Sequence, residues 1–244
     1  MSLTPLVHVD QPLAGAVAGD VVALTDRERH HLRSVLRLPT GAEVEVSDGD
    51  GGLAAGELTS DGVRLHADAV DVARPRPALQ VAQALPKGRK LDEVVRVGAE
   101  LGMDALVPVV AERSVKRPEG ARADKALARW AAVARAACEQ ARRAHRPTLS
   151  PITAVADLAV DDGWLVAHPG AEQPLPAVLE ELTGRRGPVT IAVGPEGGWS
   201  DAEVAALCDA GARMVHLGPT VLRTEHAAAA ALAVMGAALG RWRY

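Results

Sequence analysis

Phenylalanine is absent from the 244 residues, and one tyrosine and four tryptophans complete the aromatic complement. So few rings exclude an extended platform on which successive bases stack. Cysteine is nearly as scarce: Cys138 and Cys208 stand alone, without metal-ligand spacing or a disulfide framework. A reducing, cytoplasmic setting is expected. No run reaches the roughly 18 consecutive apolar residues of a membrane span. The alanine-rich segment after His226 comes nearest, with Arg223 and Glu225 before it and Arg241 after it. Met1-Ser-Leu-Thr-Pro5 shows no basic segment leading into an apolar block, so no secretion signal is expected. Also missing are the phosphate loop Gly-x4-Gly-Lys-[Ser/Thr], the fingerprint Gly-x-Gly-x-x-Gly and the nucleophile elbow Gly-x-Ser-x-Gly. The eight histidines form neither His-Glu-x-x-His nor a Cys/His cluster, so no protein metal site is expected.

What is present is ordinary for a globular protein, with 48% hydrophobic and 24% charged residues. The net charge is −4, unevenly spread. Residues 1–73 hold five Lys/Arg against twelve Asp/Glu, a net of −7, and the remainder holds 22 against 19, a net of +3. Four of those five arginines fall within Arg27–Arg37. An acidic segment thus concentrates its positive charge in one place, where a local field steers anionic partners.

Pro5, Pro12, Gly15 and Gly19 break the first 24 residues into short extended pieces. Thr25 is suited to cap a helix over Asp26–Leu38, with Leu32, Val35 and Leu36 on one face and arginines opposite. That helix is either a solvated amphipathic element or an RNA-facing one. From Gly41 to Val72 the pattern is β, with Asp48-Gly-Asp-Gly-Gly52 as a hairpin turn, and the short strands suggest a small barrel. Arg74-Pro-Arg-Pro77 marks a domain boundary. Beyond it, strand-like Ala78–Leu85, Ala105–Val110 and Trp164–Ala167 alternate with helices at Leu91–Leu101 and Ala123–Ala144, the signature of an α/β domain with a largely parallel sheet.

The densest stretch is Val189–Gly240. Val189-Thr-Ile-Ala-Val193 runs into Gly194-Pro-Glu-Gly-Gly198, and Met214-Val-His-Leu-Gly218 runs into Pro219-Thr-Val-Leu-Arg-Thr-Glu-His226. Two strands each end in a glycine/proline loop that feeds a helix, which presents backbone N–H groups to a ligand at the strands' carboxyl ends. The loops lie about two dozen residues apart, so the two strands are expected to be neighbours facing one crevice. Ser200-Asp-Ala-Glu203 reads as a capping box, a structural role for Ser200.

Gly194–Gly198 together with Leu217-Gly-Pro-Thr-Val-Leu-Arg-Thr-Glu225 resembles the signature of the RsmE family, the 16S ribosomal RNA uridine-N3 methyltransferases of the SPOUT superfamily. Val35-Leu-Arg37, Glu100-Leu-Gly102, Glu112-Arg-Ser114 and Glu139-Gln140 followed by Arg143 extend the likeness over nearly the whole chain. One departure is His226, where many members have threonine. The resemblance implies a PUA-like RNA-binding β-barrel at 1–73, a linker at 74–77, and an α/β SPOUT-type methyltransferase domain with a C-terminal deep trefoil knot at 78–244. It further implies a homodimer that binds S-adenosyl-L-methionine in the knot and methylates N3 of a specific uridine in 16S ribosomal RNA of the small subunit.

By the same resemblance the cofactor loops are His168, Pro169 and Gly170; Gly194, Pro195, Glu196, Gly197 and Gly198; and Leu217, Gly218, Val221 and Leu222. Arg223, always charged, is the first candidate to stabilise a uracil anion or orient a cofactor carboxylate; alternatively it pairs with Glu196 or Glu225. Glu225 is a candidate base, weak at an unperturbed pKa of about 4.3, or a partner for the helix N-terminus. His226 either touches substrate or fills space at the start of the last helix. RNA contacts are expected at Arg33, Arg37, Lys87, Arg89, Lys90, Arg113, Arg142 and Arg143, with Arg37 alternatively an anchor for its helix. The apolar closing helix Ala227–Leu239 suggests a two-fold interface. Three rival readings stand beside this one: a SPOUT ribose 2′-O-methyltransferase, a non-catalytic RNA-binding ribosome-assembly protein, and a dinucleotide-binding oxidoreductase, disfavoured because its fingerprint is missing.

Overall fold

Short alternating runs, each with one apolar face, dictate the N-terminal architecture. The structure, a computed structural model, describes residues 3–242. Packing divides the chain into two compact units, one reaching to Arg74 and including Arg135–Arg146, the other formed by Pro75–Ala134 and the residues from Pro147 onward.

In the first unit, β1 (Leu6–His8), β2 (Val21–Ala23), β3 (Glu43–Ser47), β4 (Gly52–Leu58), β5 (Gly62–Leu65) and β6 (Val70–Asp71) form, among the described residues, a six-stranded sheet. Its order is β1-β3-β4-β5-β2, with β6 paired to β4. Val44, Val46, Leu58, Val63 and Leu65 alternate inward onto Val7, Val22 and Leu32. Each such burial contributes about 1.5–3 kcal/mol.

Helix α1 spans only Asp26–His30, started by a capping box between Thr25 and Glu28. The expected helix to Leu38 instead widens into a π-helical turn at His31–Val35, closed by Leu36 N–H donating to the His31 carbonyl at 2.9 Å. The wider turn rotates later side chains off the 3.6-residue face. Leu32 is therefore buried, whereas Val35 is 58% and Leu36 41% exposed, contrary to the single apolar face expected for all three. Arg37 ends the segment in the left-handed region at φ +57°.

The second unit contains β7 (Leu79–Ala84), α2 (Lys90–Glu100), β8 (Ala105–Val110), α3 (Ala121–Gln140), β9 (Thr148–Leu149), β10 (Thr153–Ala154), β11 (Trp164–Ala167), α4 (Leu175–Glu181), β12 (Val189–Val193), α5 (Asp201–Asp209), β13 (Arg213–Val215) and α6 (Thr224–Ala238). From Arg135 on, α3 belongs to the first unit. All pairings are parallel, in the order β10-β8-β7-β12-β11-β13 with β9 beside β8. Both faces of the sheet are covered, as a parallel sheet requires. Leu79, Val81, Leu165 and Ile191 meet α2, α4 and α6, while Ala82, Ala84, Val166 and Ala192 face Trp199 and Leu207. Strands β12 and β13 are not the neighbours expected of them, because β11 lies between. A parallel connection needs a crossover, and the crossover decides which strand fills the gap.

Candidate active site

Because β11, β12 and β13 run parallel, their carboxyl ends deliver three loops to one edge of the sheet. These loops line a cavity of about 710 Å³, within the range of small-molecule sites. The first loop supplies His168 and Pro169, the second Gly194–Trp199, and the third Leu217–Thr224, including Val221, Leu222 and Arg223. Lys90, Arg113, Asp201 and Ala227 complete the wall. Gly170, Glu225 and His226 adjoin it in sequence without lining it.

Each loop is held by its own device. Gly198, at φ +71°, donates its N–H to the Pro195 carbonyl at 2.8 Å. A side chain there would be strained, which explains the glycine. His168 Nδ1 accepts from Gly170 N–H at 3.0 Å, and His216 Nδ1 accepts from Gly218 N–H at 3.2 Å. Arg113 braces the middle loop, donating to the carbonyls of Gly197 at 2.9 Å and Trp199 at 3.2 Å. Ser200 and Glu203 form the expected capping box of α5.

Charge at the site is organised by Lys90, in the first turn of α2. Its Nζ lies 3.0 Å from Glu196 Oε1, hydrogen-bonded, and 3.4 Å from Glu225 Oε2, as an ion pair without hydrogen-bond geometry. Glu196 also accepts from Lys87 N–H at 3.1 Å. The hydrogen bond to Glu196 raises the Lys90 pKa. Burial acts to raise the Glu196 carboxyl, but hydrogen bonds from its own backbone, Lys90 and Lys87 outweigh it and hold the group below its ordinary value. Glu196 and Glu225 therefore face Lys90 rather than Arg223. Arg223 is exposed at the N-cap of α6, and its guanidinium has no ion pair or hydrogen bond among the described residues.

The basic residues expected to meet RNA separate by their partners. Arg33 donates to the carbonyls of Leu38 and Thr59, and Arg142 to Thr4 and to Glu45 at 2.5 Å. Arg113 and Lys90 are engaged at the cavity. Arg143 is half-buried, and its carbonyl accepts from His8 Nε2 at 2.8 Å. Arg37, Lys87 and Arg89 are exposed.

Two polar residues were not anticipated. Gln83, fully buried on β7, donates to Thr224 Oγ1 at 2.8 Å, and Thr224 donates to the Gly194 carbonyl at 2.6 Å. Thr224 lies inside the motif singled out above, and glutamine breaking the otherwise apolar run Leu79–Leu85, at Gln80 and Gln83, was the available signal for Gln83.

Residues 74–236 match the model of an RNA methyltransferase domain and residues 24–64 that of an RNA methyltransferase PUA domain. The Mycobacterium bovis protein named ribosomal RNA small subunit methyltransferase E is 36% identical over 97% of this chain and 93% of its own. The chain belongs to the ribosomal RNA small subunit methyltransferase E family. The family's Bacillus subtilis protein is 32% identical over 87% of this chain and 88% of its own. A crystal structure of the methyltransferase E from Neisseria gonorrhoeae bound to S-adenosyl methionine matches with TM-score 0.81 and 28% identity, covering 96% of this chain and 98% of that one. A methyltransferase from Legionella pneumophila in complex with SAM matches with TM-score 0.81 and 27% identity, over 97% and 98%. Membership in the methyltransferase E family is thus supported along nearly the whole chain. Among the described residues no helix is long and apolar enough to cross a membrane, and no cluster of three or more His, Cys, Asp or Glu is placed to hold a metal ion.

Proposed function

We propose that the protein transfers a methyl group from S-adenosyl-L-methionine to N3 of a specific uridine in 16S ribosomal RNA. The observation that carries this reading is the convergence of three glycine/proline loops and an unpaired Arg223 on one cavity, in a chain of this family. The cavity suits the cofactor: backbone groups of Gly194–Gly198 and Leu217–Leu222 can follow a flat heterocycle, and Lys90, Arg223 and Glu196 offer both charges to an amino-acid zwitterion. When bound, the cofactor supplies an activated methyl group, leaving the protein chiefly to align and desolvate the reactants.

Uracil N3 is a poor nucleophile while it carries its proton. The free guanidinium of Arg223 stabilises the anion formed when that proton leaves. Glu225, two residues on, is the candidate to receive it, and His226 follows on the same helical turn. The target uridine enters splayed from its neighbours. Its phosphates are met by the expected basic residues, with exposed Arg37, Lys87 and Arg89 foremost, so binding falls steeply with salt.

The domain division at 1–73, 74–77 and 78–244, the closure of the first sheet into a PUA-like barrel, and a deep trefoil knot toward the C-terminus belong to the same proposal. The insertion of β12 between β7 and β11 supports a non-sequential path. A cytoplasmic homodimer completes it, supported by the partly uncovered alanines of α6 at 229, 230 and 233 and the exposed pair at 237 and 238. Sedimentation as a monomer would count against the dimer.

The decisive experiment is methyl transfer from labelled cofactor to small-subunit particles, followed by nucleoside analysis. N3-methyluridine is expected. A 2′-O-methylated nucleoside would assign the other SPOUT chemistry, and cofactor binding without transfer would favour an assembly factor.

A further inference from the structure

Near the end of the central strand β7 lies Gln83, a fully buried polar side chain. Its amide nitrogen faces the carbonyls of Ala84 at 3.1 Å and Val193 at 3.4 Å, and Thr224 Oγ1 at 2.8 Å. The amide orientation follows from these partners, since turning it over would set its oxygen against two carbonyl oxygens. The Thr224 hydroxyl accordingly accepts from Gln83 and has its own hydrogen to give. It gives it to the Gly194 carbonyl, at 2.6 Å.

This chain of bonds joins the central strand to two elements that line the cavity: the first residue of the Gly194–Gly198 loop and the first turn of α6. Thr224 is flanked by Arg223 and Glu225, so a bond fixing Thr224 also fixes where those two side chains start. Helix α6 needs such a tie, because its N-cap Arg223 makes no side-chain capping bond.

We propose that Gln83 and Thr224 are positioning residues, forming a directional relay that keeps the cofactor loop in register with the acceptor-side turn of α6. This rests on the methyl-transfer reading and deepens it. Neither residue touches the reacting atoms in this account. An in-line displacement demands that donor and acceptor meet at a narrow range of distances and angles, and an error near 1 Å is enough to lower turnover about a hundredfold. The relay addresses that alignment rather than the affinity for either reactant.

The test compares Thr224→Val, which keeps the shape and removes the hydroxyl, with Thr224→Ser, which keeps the hydroxyl. Gln83→Met removes the donor from the other end and serves if Thr224→Val does not fold. Methyl transfer to small-subunit particles is measured alongside cofactor affinity by calorimetry. Thr224→Val and Gln83→Met are expected to lower kcat by roughly 10–100-fold, with cofactor Kd and particle KM changed little. Thr224→Ser should recover most of the turnover. Unchanged kcat in both deletions, a serine variant as impaired as the valine one, or a loss confined to cofactor affinity would each overturn the relay. A wild-type protein that transfers no methyl group would instead remove the reaction assigned above. The relay is then judged by amide exchange, where Thr224→Val must loosen the Gly194 loop and the first turn of α6 together; loosening of only one overturns it.

Discussion

Replacing Arg135 by methionine should destabilise the protein far more than an average substitution. The guanidinium lies within the first unit at the meeting of three carboxylates: Glu28 Oε1 at 2.5 Å, Asp10 Oδ1 at 2.8 Å and Glu139 Oε1 at 3.3 Å, and it also donates to the His8 carbonyl. The side chains of Arg135 and Glu28 are only 8% and 2% exposed, so water screens this pair little. Asp10 is 64% exposed and adds correspondingly little. Methionine retains most of the apolar stem, which isolates the loss of charge. Breaking a buried ion pair by removing one partner costs about 3–5 kcal/mol, because the other charge stays buried. For a chain of this size 1 kcal/mol moves Tm by about 2–4 °C, which gives a fall of roughly 6–20 °C. Calorimetry and urea unfolding measure it, and an unchanged urea slope would place the effect in the native state. Glu28→Gln in the Arg135→Met background should recover part of the loss, a coupling that a double-mutant cycle reports. A loss below about 1 kcal/mol, or strict additivity of the two changes, would refute the reasoning.

Burial lowers the His8 pKa below its ordinary 6.5. The unfolded chain then binds more protons in that window, so stability should fall as pH drops through 6.5 toward the folded value, and His8→Gln should flatten this dependence. Glu196 titrates below its ordinary 4.5 in the folded state. Its contribution is present above that value and lost as pH falls through the lowered one, so Glu196→Gln should abolish this acid-side component in thermal melts. Arg113→Ala removes the brace on the Gly197 and Trp199 carbonyls and should weaken cofactor binding about tenfold by calorimetry. A rise in the KM for particles with cofactor affinity intact would instead make Arg113 an RNA contact.

Much of the local structure was legible because it depends on neighbours in sequence. The apolar runs Ala105–Val110, Trp164–Ala167 and Val189–Val193 are strands with those same ends, and Thr25 and Ser200 cap the helices they precede. Strand order was not legible. Nothing local tells β11 to stand between β12 and β13, since crossover packing selects that place. The widening of the helix after His30 also escaped periodicity, which presumes a constant turn. Nor does charge spacing within α3 reveal that Arg135 answers Glu28, 107 residues away. At the candidate site the loops could be named in advance, whereas the pairing of Lys90 with Glu196 and Glu225 arises only once α2 and α6 converge.

The histidines at the ends of β11 and β13 bear on who takes the uracil proton. In each, Nδ1 accepts a loop N–H, His168 from Gly170 and His216 from Gly218. An accepting Nδ1 carries no hydrogen, so the neutral ring must carry it on Nε2. Both rings are thereby fixed in one tautomer, with the basic lone pair turned into the loop and a donor left at the other nitrogen. Although His168 lines the cavity and His216 adjoins it, two imidazoles that would otherwise be the natural proton acceptors at neutral pH are already committed. The turn that carries Glu225 and His226 is left to supply the base.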